Sequence, residues 1–231
     1  MGGGGFSEEP KNRLLGNYVL ALAGKKKPKV CFIPTASGDA PGYVDKFHRA
    51  FPARRAKASS LTLFRHAGVG DLGKFLLAQD VIYVGGGSTA NMLAVWRVHG
   101  VDRILRKAWR AGVVLAGVSA GMNCWFEQSV TDSFGGRLAP LKDGLGLLKG
   151  SACPHYDSPK GRRRRVYRRL VAGGVLVAGV AADDGAALHF VGRRLAAVVT
   201  SRPEARACRV ERVRGKAVET PLPTRYLGKA K

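Results

Sequence analysis

Gly117, Ser119 and Gly121 set a serine in G-x-S-x-G spacing, LAGVSAG from Leu115 to Gly121, directly after an apolar run. This is the pattern of a nucleophile elbow, in which a strand enters, turns sharply at the serine and leaves as a helix. Small residues at Gly117, Ala120 and Gly121 suit such a turn, because larger side chains would clash in it. The turn would lift Ser119 Oγ to the carboxyl edge of a sheet and aim the N–H of Ala120 at the same point.

A serine nucleophile needs a base, a group that orients the base, and donors for an oxyanion. Of the five histidines, His155 is the best base, since it follows Cys153 and Pro154 in a loop where proline holds the backbone extended. His48, His66, His99 and His189 fall on helical, strand or turn positions and read as ordinary imidazoles. Three carboxylates compete as the orienting acid: Asp132 in the polar Thr131–Ser133 turn leads, with Glu127 and Asp157 as alternatives. A second oxyanion donor is expected from Gly85, Gly86 and Gly87, where missing Cβ atoms let backbone N–H groups approach a ligand. The bland reading of that triple glycine is a strand-to-helix turn with Ser88 as N-cap and Asn91 at N3. Arg162 to Arg165, Arg168 and Arg169 form the densest positive cluster. It is either a solvated helix face or the source of one arginine for a substrate carboxylate.

The elements that would position these residues alternate between short β-rich runs and amphipathic segments, the pattern of a mostly parallel, doubly wound α/β sheet with helices on both faces. Strands are expected at Val30–Pro34, Ser60–Phe64, Val81–Val84, Val113–Gly117 and Leu176–Ala181. Helices are expected around Tyr18–Leu22, Tyr43–Phe51, Thr89–His99, Val101–Ala111 and Arg162–Ala172. Residues Ser129–Gly150 show no clear period and read as a loop or hairpin. Ala186–Phe190 with Leu195–Val199 form an antiparallel pair, and Ala207–Glu219 forms a C-terminal β-hairpin about Gly215.

At 231 residues and 45% hydrophobic content, one globular domain spanning 1–231 is expected, with 1–16 flexible and 225–231 a tail. No apolar stretch approaches the roughly 18 residues of a membrane span, and the Met1–Gly5 glycine run lacks the regions of a signal peptide. A cytoplasmic protein is therefore expected. Four scattered cysteines, with no C-x-x-C pair, indicate neither a disulfide framework nor a zinc site. Thirty-nine Lys plus Arg against 16 Asp plus Glu give a net charge of +23. That balance favours acidic partners without specifying them, and no folded nucleic-acid motif accompanies it.

Taken together, VGGGSTANML (Val84–Leu93), GVSAGMN (Gly117–Asn123) and CPHYD (Cys153–Asp157) resemble the peptidase E family of serine peptidases. The resemblance implies a fold related to class I glutamine amidotransferases and hydrolysis of dipeptides carrying an N-terminal aspartate, with no metal or organic cofactor. By position it makes Ser119 the nucleophile, His155 the base, Asp132 the third member, and Gly87 with Ala120 the oxyanion hole. It points to Arg162 or Arg163 as reader of the substrate's aspartate and places Ser88 where the family usually has asparagine. The Ser119–Asp132 interval is shorter than in the best-known members, which keeps Glu127 in play. Family members begin with an apolar strand, whereas this chain starts MGGGGF, so a sheet lacking its first strand, with an open edge, is expected. Relatives suggest a homodimer. The rival readings are a β-aspartyl peptidase, as in the related cyanophycinases, and a non-catalytic protein whose basic surface binds a polyanion; glutamine amidotransfer is disfavoured, because Cys124 lies five residues beyond the elbow serine.

Overall fold

The computed structural model describes residues 1–64 and 69–228; His66 lies outside them. In chain order the first half comprises α1 (Leu14–Leu22), β1 (Lys29–Ile33), α2 (Pro41–Ala50), β2 (Lys57–Ser60), α3 (Leu72–Leu77), β3 (Val81–Val84), α4 (Thr89–His99), α5 (Val101–Arg110), β4 (Val114–Gly117) and α6 (Ala120–Asn123). The second half comprises β5 (Phe126–Phe134), β6 (Arg137–Leu141), β7 (Leu148–Cys153), α7 (Arg162–Ala172), β8 (Gly179–Ala182), β9 (Ala186–Val191), β10 (Arg194–Thr200), β11 (Ala207–Val213), β12 (Lys216–Pro221) and β13 (Thr224–Tyr226).

The first half is a parallel sheet in the order β2-β1-β3-β4. Its central strands β1 and β3 are near-continuous apolar runs, KVCFI and VIYV, and Val30–Ile33 and Val81–Val84 are buried throughout. That is the signature of strands covered on both faces. On one face Phe6, Phe32, Phe47, Phe51 and Tyr83 pack ring against ring. On the other, Trp96, Leu105 and Met92 bring α4 and α5 onto the sheet. The mixed α/β architecture with a parallel sheet flanked by helices is the one the sequence pattern implies.

The second half is a six-stranded mixed sheet, β12-β11-β8-β7-β5-β6, with a separate three-stranded sheet, β13-β10-β9. The stretch without clear period, 129–150, resolves into most of β5, all of β6 and the start of β7. Tight Gly135–Gly136 turn chemistry, with both residues at positive φ, folds β5 back on β6. Two strand boundaries differ from expectation. The strand placed at Ser60–Phe64 lies earlier, at Lys57–Ser60, because pairing with β1 stops at Phe32–Ser60; the strand placed at Leu176–Ala181 starts only at Gly179, where pairing with Ser151 begins.

The N-terminal glycines, expected in a flexible lead, are buried from Gly2 to Gly5. Met1 pairs with the end of β4, its amine donating to Gly117 O at 2.9 Å and its carbonyl accepting from Ser119 N at 3.1 Å. Gly2 N donates to Ala186 O, and Gly185 N donates to Gly3 O. Below this splice the free edge of β4 and the neighbouring β9 border an apolar cavity of about 390 Å³, lined by Trp109, Leu115, Leu188 and Phe190 among others. Strand β4 is thus the edge of its sheet, with Met1 paired to its last residue, Gly117.

Among the described residues, no helix is long and apolar enough to cross a membrane.

Candidate active site

The elbow forms as its residue types require. Parallel pairing of Val84 with Gly117 brings the ends of β3 and β4 side by side, and Ser119 follows with φ 56° and ψ −110°. A non-glycine residue in that region is strained by about 1–3 kcal/mol and persists only where its surroundings hold it. Here they do: a Cβ on Gly117 would lie 2.1 Å from Gly121 O, and one on Gly121 would lie 2.4 Å from Val84 O. Only glycines let the entering strand, the departing helix and the neighbouring strand approach this closely.

Ser119 Oγ lies 2.8 Å from His155 Nε2, and His155 Nδ1 lies 2.6 Å from Asp184 Oδ1. None of the three carboxylates expected from the sequence occupies the second position. Asp132 pairs instead with Arg163 Nη2 at 2.7 Å, because it projects from β5 toward α7. Glu127 Oε2 accepts from Gly150 N at 3.0 Å. Asp157 Oδ1 accepts from Asp184 N at 2.9 Å, so it braces the turn that carries Asp184 without touching the imidazole.

Sheet order explains the substitution of Asp184 for Asp132. Strands β7 and β8 are parallel neighbours with Cys153 opposite Ala181. His155 stands two residues beyond the end of β7 and Asp184 two beyond the end of β8, so both leave the same sheet edge side by side. Open α/β sheets place ligand chemistry at that edge. The available signal was the polar Asp183-Asp184-Gly185 turn that ends the apolar run into Ala182.

Electrostatics suit this chain of three groups. The hydrogen bond from His155 holds the Asp184 carboxyl below the usual carboxylate range, against burial that pushes the other way, with His155, Arg202 and Arg163 adding favourable charge. An ionised Asp184 accepts the Nδ1 proton and leaves Nε2 as the acceptor for Ser119 O–H. Cys124, the thiol nearest the elbow in sequence, is buried and its pKa is pushed up strongly by desolvation, so it is no competing nucleophile. Burial also brings the Met1 amine down to about 5.

Gly87 N–H and Ala120 N–H have no backbone acceptor among the described residues, whereas Ser119 N–H is taken by Met1 O and Gly86 N–H by Tyr43 Oη at 3.2 Å. Gly87 adopts φ +135°, and its missing Cβ would fall 2.1 Å from Ala36 O. Ser88 caps α4, accepting from Asn91 N at 3.3 Å, as the bland reading of that turn anticipated. Arg162 donates to Gly136 O and Arg163 to Asp132. Neither arginine lines the cavity of about 310 Å³ that opens over Ser119 and His155; the charged residues lining it are Glu8 and Lys46, with Tyr43 beside them. Among the described residues, no group of three or more His, Cys, Asp or Glu side chains could hold a metal ion.

Residues 1–198 match the model of peptidase family S51. This chain belongs to that family. It is therefore a peptidase of the serine type. It is 50% identical over 228 residues to the uncharacterised peptidase YgaJ of Bacillus subtilis (strain 168), covering 99% of this chain and 97% of that protein. Two solved structures share the fold. A peptidase from an acI-B1 actinobacterium superposes with a TM-score of 0.64 at 17% identity, over 91% of this chain and 89% of that one. A candidate peptidase E protein from Listeria monocytogenes EGD-e gives 0.55 at 18% identity, over 92% and 95%.

Proposed function

We propose that this S51 member hydrolyses short peptides with an N-terminal aspartate, through an acyl-enzyme on Ser119. The observation that carries the reading is the unbroken hydrogen-bonded series Ser119 Oγ, His155 and Asp184, at 2.8 and 2.6 Å. In this mechanism His155 Nε2 takes the Oγ proton as the serine attacks the scissile carbonyl. It then returns that proton to the leaving amine, and Asp184 stabilises the imidazolium in between. Water repeats the sequence on the acyl-enzyme, with His155 again the base. The N–H groups of Gly87 and Ala120 serve as oxyanion donors, each worth about 3–4 kcal/mol in comparable sites.

A dipeptide suits the small, open cleft of about 310 Å³ over the nucleophile, and an acidic substrate suits a chain of net charge +23. Intracellular peptide turnover in the cytoplasm is the setting consistent with this activity.

The test is hydrolysis of Asp-X dipeptides, with β-aspartyl isomers assayed in parallel, by the native protein and by Ser119→Ala. Turnover of the α-linked peptide, its loss in the variant with an unchanged circular dichroism spectrum, and labelling of Ser119 by an active-site phosphonate are expected. Equal turnover by the variant would overturn the mechanism, and exclusive cleavage of β-linked peptides would overturn the substrate assignment.

A further inference from the structure

The cleft over Ser119 and His155 is walled by two opposite charges that the mechanism above leaves unused. Lys46 projects from α2, and its Nζ has one polar contact, Ser7 O at 3.4 Å. No carboxylate lies within ion-pair distance of it among the described residues. Glu8 lines the same cleft, and one of its oxygens accepts from Gly4 N at 2.8 Å. Tyr43 lines the same cleft; its hydroxyl accepts from Gly86 N, and burial pushes its pKa up.

No arginine of the 162–169 cluster lines this cleft, and three of them are already ion-paired. Arg163 is committed to Asp132 with its side chain only 12% exposed, and Arg164 and Arg168 share Glu219. A cation already neutralised by a fixed carboxylate gains little from a second one, whereas an ammonium without a carboxylate partner keeps its charge for a ligand in the cleft. A short zwitterionic peptide offers both complements: a carboxylate for Lys46 and an α-ammonium for Glu8.

We propose that Lys46 and Glu8 form the substrate-recognition pair of this peptidase, with Lys46 binding a carboxylate of the peptide and Glu8 its free amino terminus. The proposal rests on the reading of Ser119 as the nucleophile and deepens it. A dipeptide carries two such carboxylates, the side chain of the first residue and the C-terminus, and the substrate set separates them.

The experiment measures kcat/KM for Asp-X, Asn-X and Asp-X amide with the native protein, Lys46→Ala and Lys46→Arg. Both residues are exposed, so the variants retain the fold. Lys46→Ala is expected to lower kcat/KM for Asp-X by about 10- to 100-fold, the range of one charge-assisted hydrogen bond, with substantial recovery in Lys46→Arg. The one substrate lacking the carboxylate that Lys46 reads should be a poor substrate of the native protein and lose nothing further in Lys46→Ala. Insensitivity of Asn-X assigns the side chain, and insensitivity of the amide assigns the C-terminus. Glu8→Gln should raise KM for free-amine peptides and leave their N-acetyl forms unaffected. Equal loss on all three substrates, or none, overturns the role of Lys46, and equal effects on free and acetylated peptides overturn that of Glu8. Absence of native turnover together with no phosphonate labelling of Ser119 would instead overturn the underlying function.

Discussion

Asp184 Oδ1 and His155 Nδ1 stand 2.6 Å apart, each two residues past the end of one of two adjacent parallel strands. The pair is held from three sides: by Asp157 on the Asp184 backbone, by Tyr156 N donating to Ala182 O, and by Gly3 packed across both side chains.

Replacing Asp184 with Asn should leave the fold intact and lower kcat by about 10³–10⁴-fold, because the amide presents the wrong partner to His155 Nδ1 and stabilises no imidazolium. Asp132→Asn removes only the partner of Arg163 and should retain most of kcat. Steady-state kinetics on the two variants side by side check this, and the reverse order would restore Asp132 as the orienting acid.

Stability should depend on Asp184 at acid pH. Its carboxyl is held below its ordinary value in the folded state, so the unfolded chain binds the proton more readily. The contribution is complete above the unfolded value of about 3.9 and disappears as pH falls through the lower folded one. Melting temperatures of the native protein and Asp184→Asn should therefore diverge above that window and converge below it. A constant difference across the range contradicts the linkage.

Gly3→Ala should impair catalysis although Gly3 is not itself a reacting group. A Cβ there would lie 1.9 Å from Asp184 Oδ1 and 2.6 Å from His155 Nδ1 and Cε1, forcing the pair apart or the N-terminal segment away. We expect kcat to fall at least about tenfold, since small misplacements of oriented groups are costly. Phosphonate labelling of Ser119 should slow in parallel. Native labelling kinetics would show that the segment yields instead.

Gly87→Ala meets two obstacles at once, a backbone at φ +135° and a carbonyl 2.1 Å from the new Cβ. A loss of about 2 kcal/mol or more of stability is expected, with activity falling further as the proposed oxyanion donor moves. Denaturant unfolding of the variant measures the first effect, and kcat at a temperature where it remains folded measures the second. Unchanged values for both would remove Gly87 from the site.

Much of the local chemistry was legible without coordinates. The apolar runs of β1 and β3, the glycine-framed serine at 119 and the cap at Ser88 each follow from residue types within a few positions of one another, where steric and hydrogen-bonding rules act locally. His155 was legible for the same reason: Cys153 and Pro154 before it mark a loop and not a helical face. The partner of His155 was not, because it depends on which strand lies beside β7. Pairing of β7 with β8 brings in Asp184, 29 residues further along the chain, while Asp132, nearer in sequence, is carried off toward α7 by the β5–β6 hairpin. The same holds for the glycine run at the N-terminus, which looked like slack chain and is buried between Ser119 and Ala186. Lys46, 73 positions before the nucleophile, reaches the cleft only through the packing of α2. Sequence alone determined the groups able to react; the order of strands in the sheet decided which of them meet, since hydrogen-bonded pairing is a property of distant segments that no single stretch encodes.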